Sequence, residues 1–80
     1  MARAAWGSYR GIAADIRDWA RAVPVGTAVM SEARLCAHYG VSRTTIRRAL
    51  ELVEADDTVC VWPGIGRVVG SAADGGRWLV

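Results

Sequence analysis

A mainly helical domain with a small antiparallel β-sheet is what this 80-residue chain predicts, on three observations. Ile46, Ala49, Leu50 and Val53 recur at i, i+3, i+4 and i+7, which makes one apolar stripe along an α-helix. Gly40-Val41-Ser42 stands just before that helix and closes a shorter apolar pattern, so two helices meet at a tight turn. Thr58–Trp62 and Arg67–Val69, rich in β-branched and aromatic residues, flank Pro63-Gly64-Ile65-Gly66 and read as a β-hairpin.

Taken in order, Met1 to Gly7 reads as a flexible leader. Tyr9, Ile12, Ala13, Ile16, Trp19, Ala20 and Val23 then keep helical spacing, with Arg10, Asp15, Arg17, Asp18 and Arg21 mostly opposite them. This predicts an amphipathic helix of about 14 residues, with Trp19 as a core anchor. Val23-Pro24-Val25-Gly26 ends it, because the residue before proline is pushed out of the helical region. Thr27–Met30 leans towards β and is expected to join the hairpin as a third strand. Ser31 can cap a second helix from Glu32 to Tyr39, with Glu32 at the positive end of its dipole. Leu35, Cys36 and Tyr39 face inward there, and Gly40 suits the left-handed position past the end. Ser42 caps the third helix, about Arg43 to Ala55, and Asp56-Asp57 forms a turn into the hairpin. Helix, strand, helix, turn, helix, hairpin is a winged helix-turn-helix. The expected organisation is this domain over residues 8–70 and a flexible tail over 71–80 with an apolar end, Trp78-Leu79-Val80. An effector domain is not expected in this length.

Composition narrows the class. A chain this short buries only about 60–65% of its unfolded surface, so a partner subunit would add to its core. Its hydrophobic content of 52% suits a globule rather than a disordered chain. No apolar run approaches the roughly 18–20 residues that span a bilayer, and no signal peptide is expected. Cys36 and Cys60 read as buried thiols rather than a disulfide or metal pair, which suits the cytosol. His38 reads as a surface residue. No nucleophile–base pair can be placed, and Gly64-Ile65-Gly66 is too short for a dinucleotide fingerprint, so neither an enzyme nor a cofactor is expected.

The charge distribution says more than the net charge of +2. Residues 41–50 contain Arg43, Arg47 and Arg48 and no acid, whereas residues 51–57 contain Glu51, Glu54, Asp56 and Asp57 and no base. Arg43, Thr44, Arg47 and Arg48 fall off the apolar stripe, so the third helix presents guanidinium groups and short hydroxyls. A helix-turn-helix whose second helix opens this way is built to enter the DNA major groove. Arginine suits that task because its planar fork meets guanine or phosphate with two N–H groups.

Gly40 to Leu50, together with Ser31-Glu32, Leu35 and Pro63-Gly64-x-Gly66, resembles the GntR family of bacterial transcription regulators over roughly Tyr9 to Val69. The resemblance implies a winged-helix domain that binds double-stranded DNA in the cytoplasm, as a dimer on a short palindromic operator and most often as a repressor. The contact residues it implies, read with the helix pattern, are Ser31, Glu32, Arg34, Ser42, Arg43, Thr44, Thr45, Arg47, Arg48, Gly64, Gly66 and Arg67. Four positions depart from the family pattern. Met30 stands for proline before Ser31, Ala33 for arginine after Glu32 with Arg34 one place on, Ile65 for a basic residue at the wing tip, and Asp57 for glycine before the wing. Two competing readings follow from the same residues. In one, the arginines are only a solvated face, with Arg47 paired to Glu51 at i,i+4. In the other, the acidic run and the uncharged wing tip belong to a protein-interaction module, or to a truncated regulator that pairs with a larger protein.

Overall fold

The computed structural model describes residues 8–71; the leader expected over 1–7 and the tail residues 72–80 lie outside the described residues. Three helices, α1 (Tyr9–Ala22), α2 (Glu32–Tyr39) and α3 (Arg43–Ala55), are followed by strands β1 (Val59–Trp62) and β2 (Gly66–Val69). Each helix starts on a serine whose hydroxyl accepts an otherwise unpaired backbone N–H. Ser8 takes that of Arg10, Ser31 that of Arg34, and Ser42 that of Thr45.

The core is the crossing of α1 and α3. Ile12, Ala13 and Ile16 of α1 pack with Ile46, Ala49, Leu50 and Val53 of α3, and Leu35 of α2 and Val59 of β1 close the cluster. Ala13 and Ala49 are wholly buried, and their small side chains let the two helices approach closely. Each large aliphatic side chain buried here contributes about 1.5–3 kcal/mol, so Ile12, Ile46, Leu50 and Val53 fix the rotation of both helices. Trp19 does not join them: it is 38% exposed, contrary to the core anchor the spacing suggests. At 100° per residue the buried α1 positions centre between Ala13 and Ile16, and Trp19 lies about 75° to one side. There it overhangs a groove between α1 and α2 instead of facing α3.

Gly40 turns α2 into α3. Its φ of 69° is left-handed, and its N–H returns to the Cys36 carbonyl at 2.8 Å. The wing is an antiparallel hairpin in the register Val59↔Val69, Cys60↔Val68, Val61↔Arg67 and Trp62↔Gly66. Its tip closes with the Ile65 N–H on the Trp62 carbonyl at 3.0 Å, with Pro63 second and Gly64 third at φ 81°. That is the residue order a type II turn requires.

The expected third strand shrinks to a single bridge, Ala28 to Val68. The Val29 N–H reaches the Arg67 carbonyl and the Val69 N–H the Thr27 carbonyl, at 3.0 and 2.9 Å. The Pro24–Thr27 turn before this segment and the Ser31 cap after it leave no residues to lengthen the ladder. Asp57 takes the left-handed conformation that the family gives to glycine, with φ 65°. Its neighbour Asp56 accepts from Thr58 through Oδ1 and from Arg17 through Oδ2, which ties α1 to the turn between α3 and β1. Among the described residues no helix is long and apolar enough to cross a membrane.

Candidate nucleic-acid interface

With Ile46 wholly buried, the helical rotation turns Arg43, Thr44, Arg47 and Arg48 to solvent, and all four are exposed. No acid occupies the first turn of α3, so its N-terminal end adds a positive backbone field to the arginines. Thr45 is half-buried, and its hydroxyl lies 3.1 Å from that of Ser42. Ser31 and Ser42 both use their side chains as caps. Arg34 is exposed on the first turn of α2. Among the described residues neither Arg34 nor Arg43 enters an ion pair.

Arg47 behaves differently. Its Nε donates to Glu32 Oε1 at 3.2 Å, so α2 is bound to α3 at the middle of the reading face. The i,i+4 pair with Glu51 does not form; Glu51 is exposed and enters no ion pair among the described residues. Arginine placed before glutamate is the weaker orientation for such a pair, and Glu32 is better shielded, at 24% exposure. The second oxygen of Glu32 lies 3.8 Å from Arg67 Nη1, and Arg67 Nε donates to Glu54 Oε2. Arg67 is therefore folded back against α2 and α3, half-buried, rather than extended from the wing.

The remaining expected positions separate from this cluster. The Arg48 guanidinium lies over the Tyr9 ring at 5.5 Å, and Arg10 lies over the same ring at 5.6 Å. That stacking places Arg48 towards the start of α1. Gly64 and Gly66 sit exposed at the wing tip with φ of 81° and 103°, and a Cβ added at either would meet open space. Their need for glycine is therefore conformational. Between them Ile65 is 53% exposed and carries no charge towards a ligand.

Elsewhere, Tyr39 donates its hydroxyl to Asp15. Burial first, then the bond to Asp15 and its charge, push the phenol pKa well above its ordinary value. Ile16, Trp19, Met30 and Tyr39 line an apolar groove of about 220 Å³ beside this pair. His38 is exposed, as expected, with its ring edge-on to Tyr39 at 4.7 Å. Both thiols are free; Cys60 is buried, and Cys36 is half-buried against the core. Among the described residues no group of His, Cys, Asp or Glu is arranged to hold a metal ion.

Sequence reasoning missed the partners of the charged groups: Glu54 for Arg67, Asp56 for Arg17, and Tyr9 for Arg48. Each pair joins residues 13, 39 and 39 positions apart respectively, where no helical or strand spacing signals a contact.

Comparison with known proteins adds one match. The family model described as bacterial regulatory proteins, gntR family, covers residues 8–69, from the cap of α1 to the last residue of β2. No curated protein matches the chain.

Proposed function

The chain belongs to the gntR family of bacterial regulatory proteins, DNA-binding regulators of transcription, and from that premise we propose that it is a repressor reading a specific operator. In this reading residues 8–70 are the DNA-binding domain, α3 lies in the major groove, and the wing follows the minor groove or backbone. A regulator of this kind works in the cytoplasm, where the bacterial chromosome lies.

One observation carries the reading: the exposed Arg43-Thr44-x-x-Arg47 surface at the N-terminal end of α3, backed by a fully apolar core face. Arg43 and Arg47 supply base-edge or phosphate hydrogen bonds, and Thr44 makes a shorter contact. Arg34 contacts phosphate beside them. Arg48 and Arg10, gathered on Tyr9, add charge towards the backbone. With Arg67 engaged internally and Ile65 at the tip, the wing approaches DNA by shape and apolar contact more than by charge.

A good bidentate base contact discriminates by about 1–3 kcal/mol, whereas a useful site needs about 4–10 kcal/mol over non-specific DNA. One module offers few such contacts. Two copies on a palindrome, with half-sites about one helical turn apart, supply the difference.

Selection of bound duplexes from a random pool by the purified chain, at stated salt, tests this. Enrichment of a two-fold symmetric site supports the dimeric reading, and an isolated half-site points to a monomer that needs a partner. A second reading, a winged helix that docks on a larger protein, is favoured by the exposed groove at Trp19 and Met30. Enrichment of no sequence would favour it over DNA reading.

A further inference from the structure

Glu32 places a carboxylate inside the surface proposed to meet phosphates, where an unpaired acid would repel the ligand. It is not unpaired. One oxygen receives Arg47 Nε at 3.2 Å and the other lies 3.8 Å from Arg67 Nη1, while Arg67 also donates to Glu54. We infer that Glu32 is a positioning and specificity-determining residue: it orders Arg47 for base reading, cancels that arginine's charge towards non-cognate phosphate, and links it to the wing. This rests on the DNA reading proposed above.

The geometry supports each part. A guanidinium has five N–H donors, and Glu32 engages only the one on Nε of Arg47. The contact through Nε leaves the terminal nitrogens, which form the outer fork, for a ligand, and the Arg47 side chain is 59% exposed. An arginine held by its inner nitrogen is thus fixed in direction without losing its reading end. Electrostatically, two arginines and two glutamates sum to zero formal charge across Arg47, Glu32, Arg67 and Glu54. Non-specific affinity follows the net charge set against the phosphates, whereas base discrimination follows directed hydrogen bonds. A neutral cluster with an ordered fork therefore lowers the first while keeping the second. The shared carboxylate also makes the position of Arg47 depend on Arg67, so a wing displaced by a poor site disturbs the base contact.

The test measures dissociation constants of the full chain for the selected duplex and for a scrambled duplex of equal length, across salt. Glu32→Gln is expected to tighten binding to the scrambled duplex by about three- to tenfold and to steepen its salt slope by about one. Binding to the selected duplex gains little or weakens, so the selected-to-scrambled ratio falls by about fivefold or more. Glu32→Asp is expected to keep most of the ratio. Adding Glu32→Gln to Arg47→Ala is expected to change the ratio by less than about twofold, because the effect runs through Arg47. Equal weakening on both duplexes, or an unchanged ratio, would overturn the inference, since a carboxylate that merely fastens α2 to the wing has no reason to alter discrimination. Should Glu32→Gln fail to fold by circular dichroism, Glu32→Ala carries the test, because it removes the same carboxylate with a stronger helix former and leaves Arg47 intact. Scrambled binding should again tighten while the ratio falls; an unchanged ratio overturns the proposal. A wild-type chain that prefers no duplex overturns the DNA reading, and this inference with it. A wild-type chain that discriminates normally, with Glu32→Gln indistinguishable from it, overturns this inference alone.

Discussion

The two ends of α3 carry opposite charge and use it in different ways. At the N-terminal end Arg43 and Thr44 stand exposed, Arg43 enters no ion pair among the described residues, and Arg47 meets Glu32 through its inner nitrogen. At the C-terminal end Glu54 holds Arg67 of the wing, and Asp56 in the following turn holds Arg17 of α1. One end presents charge outward; the other uses charge to join α3 to its neighbours. The acidic run over residues 51–57 is thus only partly a surface offered to another molecule. Among the described residues two of its four acids, Glu54 and Asp56, have ion-pair partners within the domain, which removes one reason to read it as a protein-docking patch.

The outward use of charge at the N-terminal end is tested most directly at Arg43. Arg43→Ala is expected to weaken binding to the selected duplex by about 1–3 kcal/mol while leaving the melting temperature within about a degree. Fluorescence anisotropy on DNA, set beside thermal melts, separates the two. A stability loss with intact binding would mean that the N-terminal end is structural as well.

The converse substitution, Glu54→Gln, should act on the fold and not directly on reading. Glu54 and Arg67 are each about 30% exposed, so their pair is worth about 0.2–1 kcal/mol, and urea unfolding should show a loss in that range. Released from Glu54, Arg67 becomes available to phosphate, so the salt slope of DNA binding should steepen by up to about one. A variant with unchanged stability and slope would show that the wing does not depend on this contact.

That asymmetry also marks what the sequence could tell. The apolar stripes of α1 and α3, the three serine caps, Gly40 and the Pro-Gly-x-Gly turn are local signals, and the elements they predict form as expected. The exposed arginines were legible for the same reason, since a buried Ile46 fixes where its helical neighbours point. What escaped depends on tertiary placement. Trp19 has core spacing, but the short α2 and the single bridge at Ala28 do not cover it. Arg47 chose Glu32 over Glu51 because α2 brings a better shielded carboxylate to it, and nothing within α3 could announce that. The standing of Arg67 is likewise decided by Glu54, reached only after the hairpin folds back.

The joint at Asp56 offers a smaller test, through pH. Burial alone would raise its carboxyl, but hydrogen bonds from Thr58 and Arg17 outweigh that and hold its pKa below the ordinary value. A carboxyl lowered in the folded state contributes stability above its unfolded pKa, near 3.9, and loses it as pH falls through the lower folded value. Thermal melts between pH 7 and about 3 should therefore show part of the acid destabilisation disappearing in Asp56→Asn. The change should stay below about 1 kcal/mol, because Arg17 and Asp56 are about one-third exposed and solvent screens the pair. An identical acid profile in both proteins would place the joint's strength in packing instead.

Asp57 has the smallest expected effect at the acidic end. It sits just past the acidic end of α3 with φ 65°, where an L side chain meets strain that glycine does not. Asp57→Gly removes that strain, commonly about 1 kcal/mol for a residue that tolerates the region as well as aspartate does. Glycine also widens the unfolded ensemble, which costs about 0.5–1 kcal/mol and offsets most of the gain. The expected net is a stabilisation of a few tenths of a kcal/mol, read as a small rise in the urea midpoint at constant slope. Unlike Glu54 and Asp56, Asp57 enters no ion pair among the described residues, so its removal should leave both wing and DNA binding unchanged. A clear destabilisation would instead show that its carboxylate helps hold this joint, and the structural role of the acidic end would then extend one residue further.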